Sequence, residues 1–380
     1  MKKIIYQSYY VRIYYIKMIK KILETKFYIS LEELDLSNYQ IYSFPKYNYD
    51  VSFGDLINLK KLYLNNNNID TLSFGINNLI NLQNLDLSNN KFTVFPIEIT
   101  NLINLRILNL SCNKLSNSKT EISNFSLLGN LINLEILTLY NNELHNLPVE
   151  IGNLINLKKL YLSSNKLYSL PAEIGKLINL QELILYDNKL CLLPAEIGDL
   201  INLNHLELLD NNLQTIPAEI YKLKNINKLF LMKNFLNNLP IEIGKMIHLQ
   251  ELHLENNKFN NLPNEIGNLI NLKKLNLSNN LLQNLPSTIS NLINLQELNL
   301  TNNKLQILPN QIIKIINSLI INISSYDINN INFDNKILIF DKLNDKLTNL
   351  PPNIELILIK YKTNIPYIKL PFNCKIKYYY

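Results

Sequence analysis

Three cysteines in 380 residues, odd in number and widely spaced, exclude a disulfide framework. Cys112, Cys191 and Cys374 form no CxxC pair and no flanking cap of the extracellular type. Histidine is as scarce: His145, His205, His248 and His253 have no metal-ligand spacing. No histidine lies near Cys374, so a catalytic thiol is not expected there. Only eight glycines are present, and neither a phosphate loop nor GxSxG nor HExxH occurs. No run approaches the ~18 uninterrupted apolar residues of a membrane-spanning helix. The apolar N-terminal stretch is broken by Arg12, Lys17, Lys20 and Lys21 and is not followed by a small-residue cleavage site, so it does not read as a signal peptide. These absences point to a reducing, cytoplasmic setting with no cofactor, no metal and no integral membrane segment.

The net charge of +6 is unevenly spread. Residues 1–26 carry seven Lys/Arg against one Glu, and residues 351–380 carry five Lys against one Glu. The span between has 25 basic and 29 acidic residues, which gives nucleic acid no basic field to bind.

What is abundant is asparagine, with 66 residues, alongside Ile, Lys and Tyr. These residues have A+T-rich codons, so part of the bias belongs to the genome. The rest is periodic. Eleven units follow LxxLxLxxNxL…LPxxIxxLxN from Leu59 to Asn317; ten advance by 23 residues and one by 29. A fixed period in the twenties marks a solenoid, whose units bury their apolar faces only against neighbours.

In the unit starting at Leu157, Leu157, Leu160 and Leu162 alternate with Lys159, Tyr161 and Ser163, which predicts a short strand. The next unit repeats the pattern, so its strand should lie parallel at ~4.8 Å. Asn165 follows, with a counterpart in all eleven units. A carboxamide both donates and accepts, so it can satisfy backbone in its own turn and in the adjacent one. Leu167, Leu170, Ile174 and Leu177 should point inward on the return side. Pro171 suits an extended outer segment, and Ala-Glu-Ile-Gly predicts a short helical turn that glycine helps to end.

With these markers the sequence resembles the intracellular leucine-rich repeat proteins of the 23-residue LPxEIGxLxNL type, which include Ras-suppressor-like and polarity scaffolds. The resemblance implies an α/β solenoid, a curved horseshoe with a parallel sheet on its concave face and short helical or extended segments on its convex face. It also implies a non-enzymatic, monomeric protein-binding scaffold, with a small GTPase or another signalling protein as partner. The A+T-rich composition resembles leucine-rich repeat families of insect poxviruses and giant DNA viruses, for which a host immune or ubiquitin-pathway protein is the expected partner. The alternative is a ubiquitin-ligase-type effector or adaptor acting through its termini. Against it, about 60 residues follow the last clear repeat, few for a catalytic domain.

Three regions are expected: a basic capping segment over 1–30, the solenoid over 31–333 with degenerate units at both ends, and degenerate repeats with a cap over 334–380. Residues 9–28 fit an amphipathic helix, read as a cap over the first repeat. The six-residue insertion falls in 116–130. Leu350-Pro351 and Leu370-Pro371 hint at a shorter repeat.

Candidate binding residues are those that break the small, polar rule at outward strand positions. They are Tyr140, Tyr161, Ile184, Tyr186, Leu209, Phe230 and Met232, with Ile136 beside them. Lys158, Lys159, Glu182, Asp187, Glu207, Asp210, Lys228 and Lys233 flank them. Two readings remain open. Such residues form an interface when exposed together, or they stabilise a parallel sheet as cross-strand pairs.

Overall fold

A computed structural model describes residues 31–42, 56–72, 74–117 and 124–305, together with strands at 320–322, 337–340, 356–359 and 375–378. The proposed N-terminal helix, Cys374 and residues 118–123 of the insertion lie outside the described residues. The chain divides into two compact units, Met1–Lys189 and Leu190–Tyr380.

In the N-terminal unit seven three-residue strands lie in chain order: β1 (Glu33–Asp35), β2 (Lys61–Tyr63), β3 (Asn84–Asp86), β4 (Ile107–Asn109), β5 (Ile136–Thr138), β6 (Lys159–Tyr161) and β7 (Glu182–Ile184). All pair in parallel, and equivalent repeat positions face each other, as in Leu137↔Leu160↔Leu183. The C-terminal unit repeats the arrangement with β8 (His205–Glu207), β9 (Lys228–Phe230), β10 (Glu251–His253), β11 (Lys274–Asn276) and β12 (Glu297–Asn299). It continues through β13 (Ile320–Asn322), β14 (Ile337–Phe340), β15 (Leu356–Ile359) and β16 (Lys375–Tyr378). The pairings Ile337↔Leu356↔Lys375 join these last three strands in a closer spacing than the 23-residue repeat. The fold is a leucine-rich repeat solenoid, with a parallel sheet on one face and short 3-10 segments on the other.

The core follows the repeat. Leu157, Leu160, Leu162, Leu167, Ile174 and Leu177 are fully buried, and Leu170 nearly so. Each such side chain contributes about 1.5–3 kcal/mol of transfer free energy. Asn165 behaves as its chemistry requires. Its Oδ1 accepts from Leu144 N–H of the preceding repeat at 3.1 Å. Its Nδ2 donates to the Leu139 and Leu162 carbonyls, both at 3.0 Å, and to Ser163 O at 3.3 Å. Asn257 makes the same four bonds in the C-terminal unit.

Two local expectations change. The glycine of each AEIG segment does not end its turn with a positive φ, since no described glycine has one. It is there for space: a Cβ on Gly152 would come within 2.8 Å of the Glu173 carbonyl in the next repeat. The small outward residues Ser88, Ser111, Ser163, Ser278 and Thr301 are buried rather than solvent-facing. Ser88, Ser111, Ser278 and Thr301 turn their hydroxyls back onto the side-chain oxygen two residues earlier.

The left-handed turn falls one residue before the ladder asparagine, at Asn66, Asn141, Ser164, Asp187, Lys233 and their equivalents. Among residues with a side chain, Asn and Asp tolerate this region best, which explains the recurrent Asn-Asn pair. The first asparagine turns the chain and the second bonds it.

Candidate protein-binding surface

The outward strand positions form rows across each unit's sheet. In the N-terminal unit one row runs Tyr140, Ser163, Tyr186, joined by Asn141 N–H to Ser163 O at 2.9 Å and Ser164 N–H to Tyr186 O at 3.0 Å. Tyr140 and Tyr186 are exposed, at 40% and 37%, while Ser163 between them is buried at 4%. Two strand spacings separate the tyrosines, so they flank a slot ~10 Å wide between backbones, with the serine as its floor.

The adjacent row is Thr138, Tyr161, Ile184, in register and half-buried. Tyr161 donates its hydroxyl to Glu182 at 2.6 Å, and Lys159 pairs with the other oxygen of the same carboxylate at 2.7 Å. Burial, and then the bond to Glu182, pushes the Tyr161 hydroxyl above its ordinary pKa. Glu182 also holds Lys159 above its usual value. Ile136, half-buried, faces Lys159 across the strand pair. Lys158 and Arg106 share Glu135 at 2.6 and 3.0 Å, and the Lys158 bond leads in holding that carboxyl low. Lys158, Lys159 and Glu182 are thus paired, and Tyr161 is tied down while Tyr140 and Tyr186 project.

In the C-terminal unit Leu209, Phe230 and Met232 are half-buried. Phe230 stacks on His253, with centroids 5.0 Å apart and planes 18° apart, and His205 lies tilted at 6.5 Å on the other side. His205 and His253, two repeats apart, thus each meet the ring of Phe230. His205 Nε2 lies 2.8 Å from Glu207, and His253 Nε2 lies 3.3 Å from Glu251, which also pairs with Lys228 at 2.9 Å. Burial alone would raise the Glu251 carboxyl, but the Lys228 and His253 bonds outweigh it and hold it low. Lys233 reaches Asp210 at 3.5 Å. Glu255, whose interest the sequence did not reveal, keeps a buried Oε2 with no hydrogen-bond partner.

The sequence reading also missed the edge before the strands. Ile57, Ile80, Ile103, Ile132 and Ile155 are each about half-exposed there. The asparagine of each following repeat bonds their carbonyls, as Asn81 does to Ile57 O and Asn156 to Ile132 O. This second asparagine ladder was visible in the sequence as the recurrent Leu-Ile-Asn.

Among the described residues no three side chains are grouped to hold a metal ion, and no helix is long and apolar enough to cross a membrane. Cys112 and Cys191 are thiols.

Family models for leucine-rich repeats match residues 81–102, 104–237 (a leucine-rich repeat region) and 247–313. Among solved structures, a leucine-rich repeat protein of Leptospira interrogans is 34% identical with a TM-score of 0.64, the match covering 94% of this chain and 86% of that one. An internalin from Listeria monocytogenes has the same fold at 23% identity and a TM-score of 0.63, covering 81% and 87%. A plant peptide hormone receptor in complex with its hormone is 25% identical, TM-score 0.61, covering 87% of this chain and 63% of the receptor. Comparison with curated proteins gives no match.

Proposed function

The chain belongs to the leucine-rich repeat family, and on that premise we propose that it is a non-enzymatic scaffold that binds a protein partner on its strand faces. One observation carries the reading: Tyr140 and Tyr186 project from a rigid, asparagine-laddered frame on either side of a slot floored by Ser163. Tyrosines are strong interface anchors because they bring large area at little entropy cost. A preformed strand surface adds little ordering cost on binding. A polypeptide ligand accords with the peptide complex of the plant receptor. Tyr161, Ile184, Leu209, Phe230 and Met232 serve as the half-buried margin of the two faces. The partner classes are the small GTPases, signalling and ubiquitin-pathway proteins named by the resemblance, and the setting is the cytoplasm.

The test is capture from lysate by the wild-type chain and by the Tyr140→Ser/Tyr186→Ser double variant, with circular dichroism and melting to establish equal folding. A protein retained by the wild type and lost by the variant supports the reading. Identical profiles from two folded proteins sink the tyrosine slot, and the exposed isoleucine edge becomes the surface to mutate.

A further inference from the structure

One carboxylate on the C-terminal strand face is left without a donor. The row that contains it runs Leu209, Met232, Glu255, Ser278, fixed by Asp210 N–H to Met232 O at 3.1 Å, Lys233 N–H to Glu255 O at 2.9 Å and Asn256 N–H to Ser278 O at 3.0 Å. The side chains beside it in the row and on its own strand do not satisfy it. Ser278 gives its hydroxyl to Asn276 at 2.9 Å, His253 faces Glu251, and Met232 has no donor to give. The nearby lysines are committed too: Lys228 to Glu251, Lys233 to Asp210 and Lys274 to Glu297. Over β8–β12 this face therefore carries three lysines against the five carboxylates of Glu207, Asp210, Glu251, Glu255 and Glu297. Glu207 has His205 beside it. Glu255 has no such group, and its Oε2 is buried. A carboxylate oxygen buried without a protein donor costs free energy in the isolated chain.

We propose that the strand face of the C-terminal unit takes a cationic side chain, lysine or arginine, from the protein partner, with Glu255 as the carboxylate that receives it. The inference rests on the protein-binding reading above and supplies its chemistry. The incoming ammonium or guanidinium pairs with the carboxylate of Glu255, a half-exposed residue, and supplies the opposite charge that the neighbouring lysines give to other carboxylates. Its methylene stem lies on Met232 and Leu209, since long cationic side chains rest their stems on apolar surface, and methionine conforms to irregular contacts. The excess of carboxylates on this face favours the approach of a cation over that of an acidic segment.

The test is a titration of the ¹⁵N-labelled full chain with four capped tripeptides, acetyl-Leu-X-Leu-amide with X as Arg, Lys, Gln or Glu. Saturable shifts at the Met232, Lys233, Glu255 and Asn256 amides are expected, with Arg and Lys peptides bound about tenfold more tightly than Gln. Glu255→Gln should reduce that preference to under about twofold. Glu207→Gln should keep it, and an unmoved Asn257 side-chain resonance reports an intact ladder in both variants. Equal binding of the Arg and Gln peptides overturns the inference while leaving the protein-binding reading standing. A preference that survives Glu255→Gln, or that falls equally in Glu207→Gln, overturns it as well. Absence of shifts with every peptide does the same, and the tyrosine-slot capture experiment then judges the parent reading separately.

Discussion

Tyr161 in the N-terminal unit and Phe230 in the C-terminal unit occupy the same strand position and differ by one hydroxyl. In the first, that hydroxyl ties the ring to Glu182, and Lys159 completes a neutral cluster. In the second, the ring has nothing to donate and lies between two imidazoles. Along the next row, the N-terminal unit places Ser163 between projecting tyrosines, and the C-terminal unit places Met232 beside the unpaired Glu255. The backbone under both is alike, down to the four bonds of each ladder asparagine. One frame thus displays two different chemistries, because outward residues touch only their strand neighbours and vary without disturbing the core.

The largest expected effect tests the sameness of the frame. Asn165→Ala and Asn257→Ala each strand one acceptor bond and three donor bonds on buried backbone, so each should cost about 3–4 kcal/mol in chemical denaturation. The two costs should agree within about 1 kcal/mol. A wider gap breaks the claim that the two units share one framework. Next come Gly152→Ala and Gly244→Ala, which drive a methyl to 2.8 and 2.6 Å from a glutamate carbonyl oxygen in the following repeat. Each should destabilise by about 2 kcal/mol, and near-neutral variants would show that the repeats can move apart.

Differences between the units appear in smaller terms. Tyr161→Phe removes the bond to Glu182 on a half-exposed ring, a loss of under about 1 kcal/mol that melting curves can resolve against a silent Tyr140→Phe. Exchange of the two residues would sharpen the comparison, because Glu251 holds the repeat position of Glu182 but is already bonded by Lys228 and His253, so a Phe230→Tyr hydroxyl competes for an occupied acceptor and should gain less than Tyr161→Phe loses. The smallest effect is electrostatic. Glu251 titrates below its unfolded value, so its stabilisation is complete above the unfolded carboxylate range and is lost as pH falls through the folded one. Acid titration of wild type and Glu251→Gln should show this extra loss in wild type alone. Parallel acid limbs would remove Glu251 from the account.

Much of the fold was legible in the residues. Leu160, Leu162 and Ile174 announce their burial by spacing, and Asn165 announces its ladder by recurrence at a fixed place. The candidate surface was legible only in part. Tyr140 and Tyr186 project as expected, but Tyr161 is half-buried and held, which its residue type alone does not reveal. The αL residue before each ladder asparagine was readable in the Asn-Asn pairs and obscured where Ser164 or Lys233 takes the place.

By itself the sequence determined the period, the parallel register and the composition of the core, because a repeat buries its leucines only against identical neighbours and leaves one consistent solution. Only the tertiary structure decided which outward groups meet. Phe230 finds His253, Tyr161 finds Glu182, and Glu255 finds no donor at all. Those outcomes depend on side-chain direction and on competition for hydrogens among residues 21 or more positions apart in the chain, and a linear pattern holds no record of either.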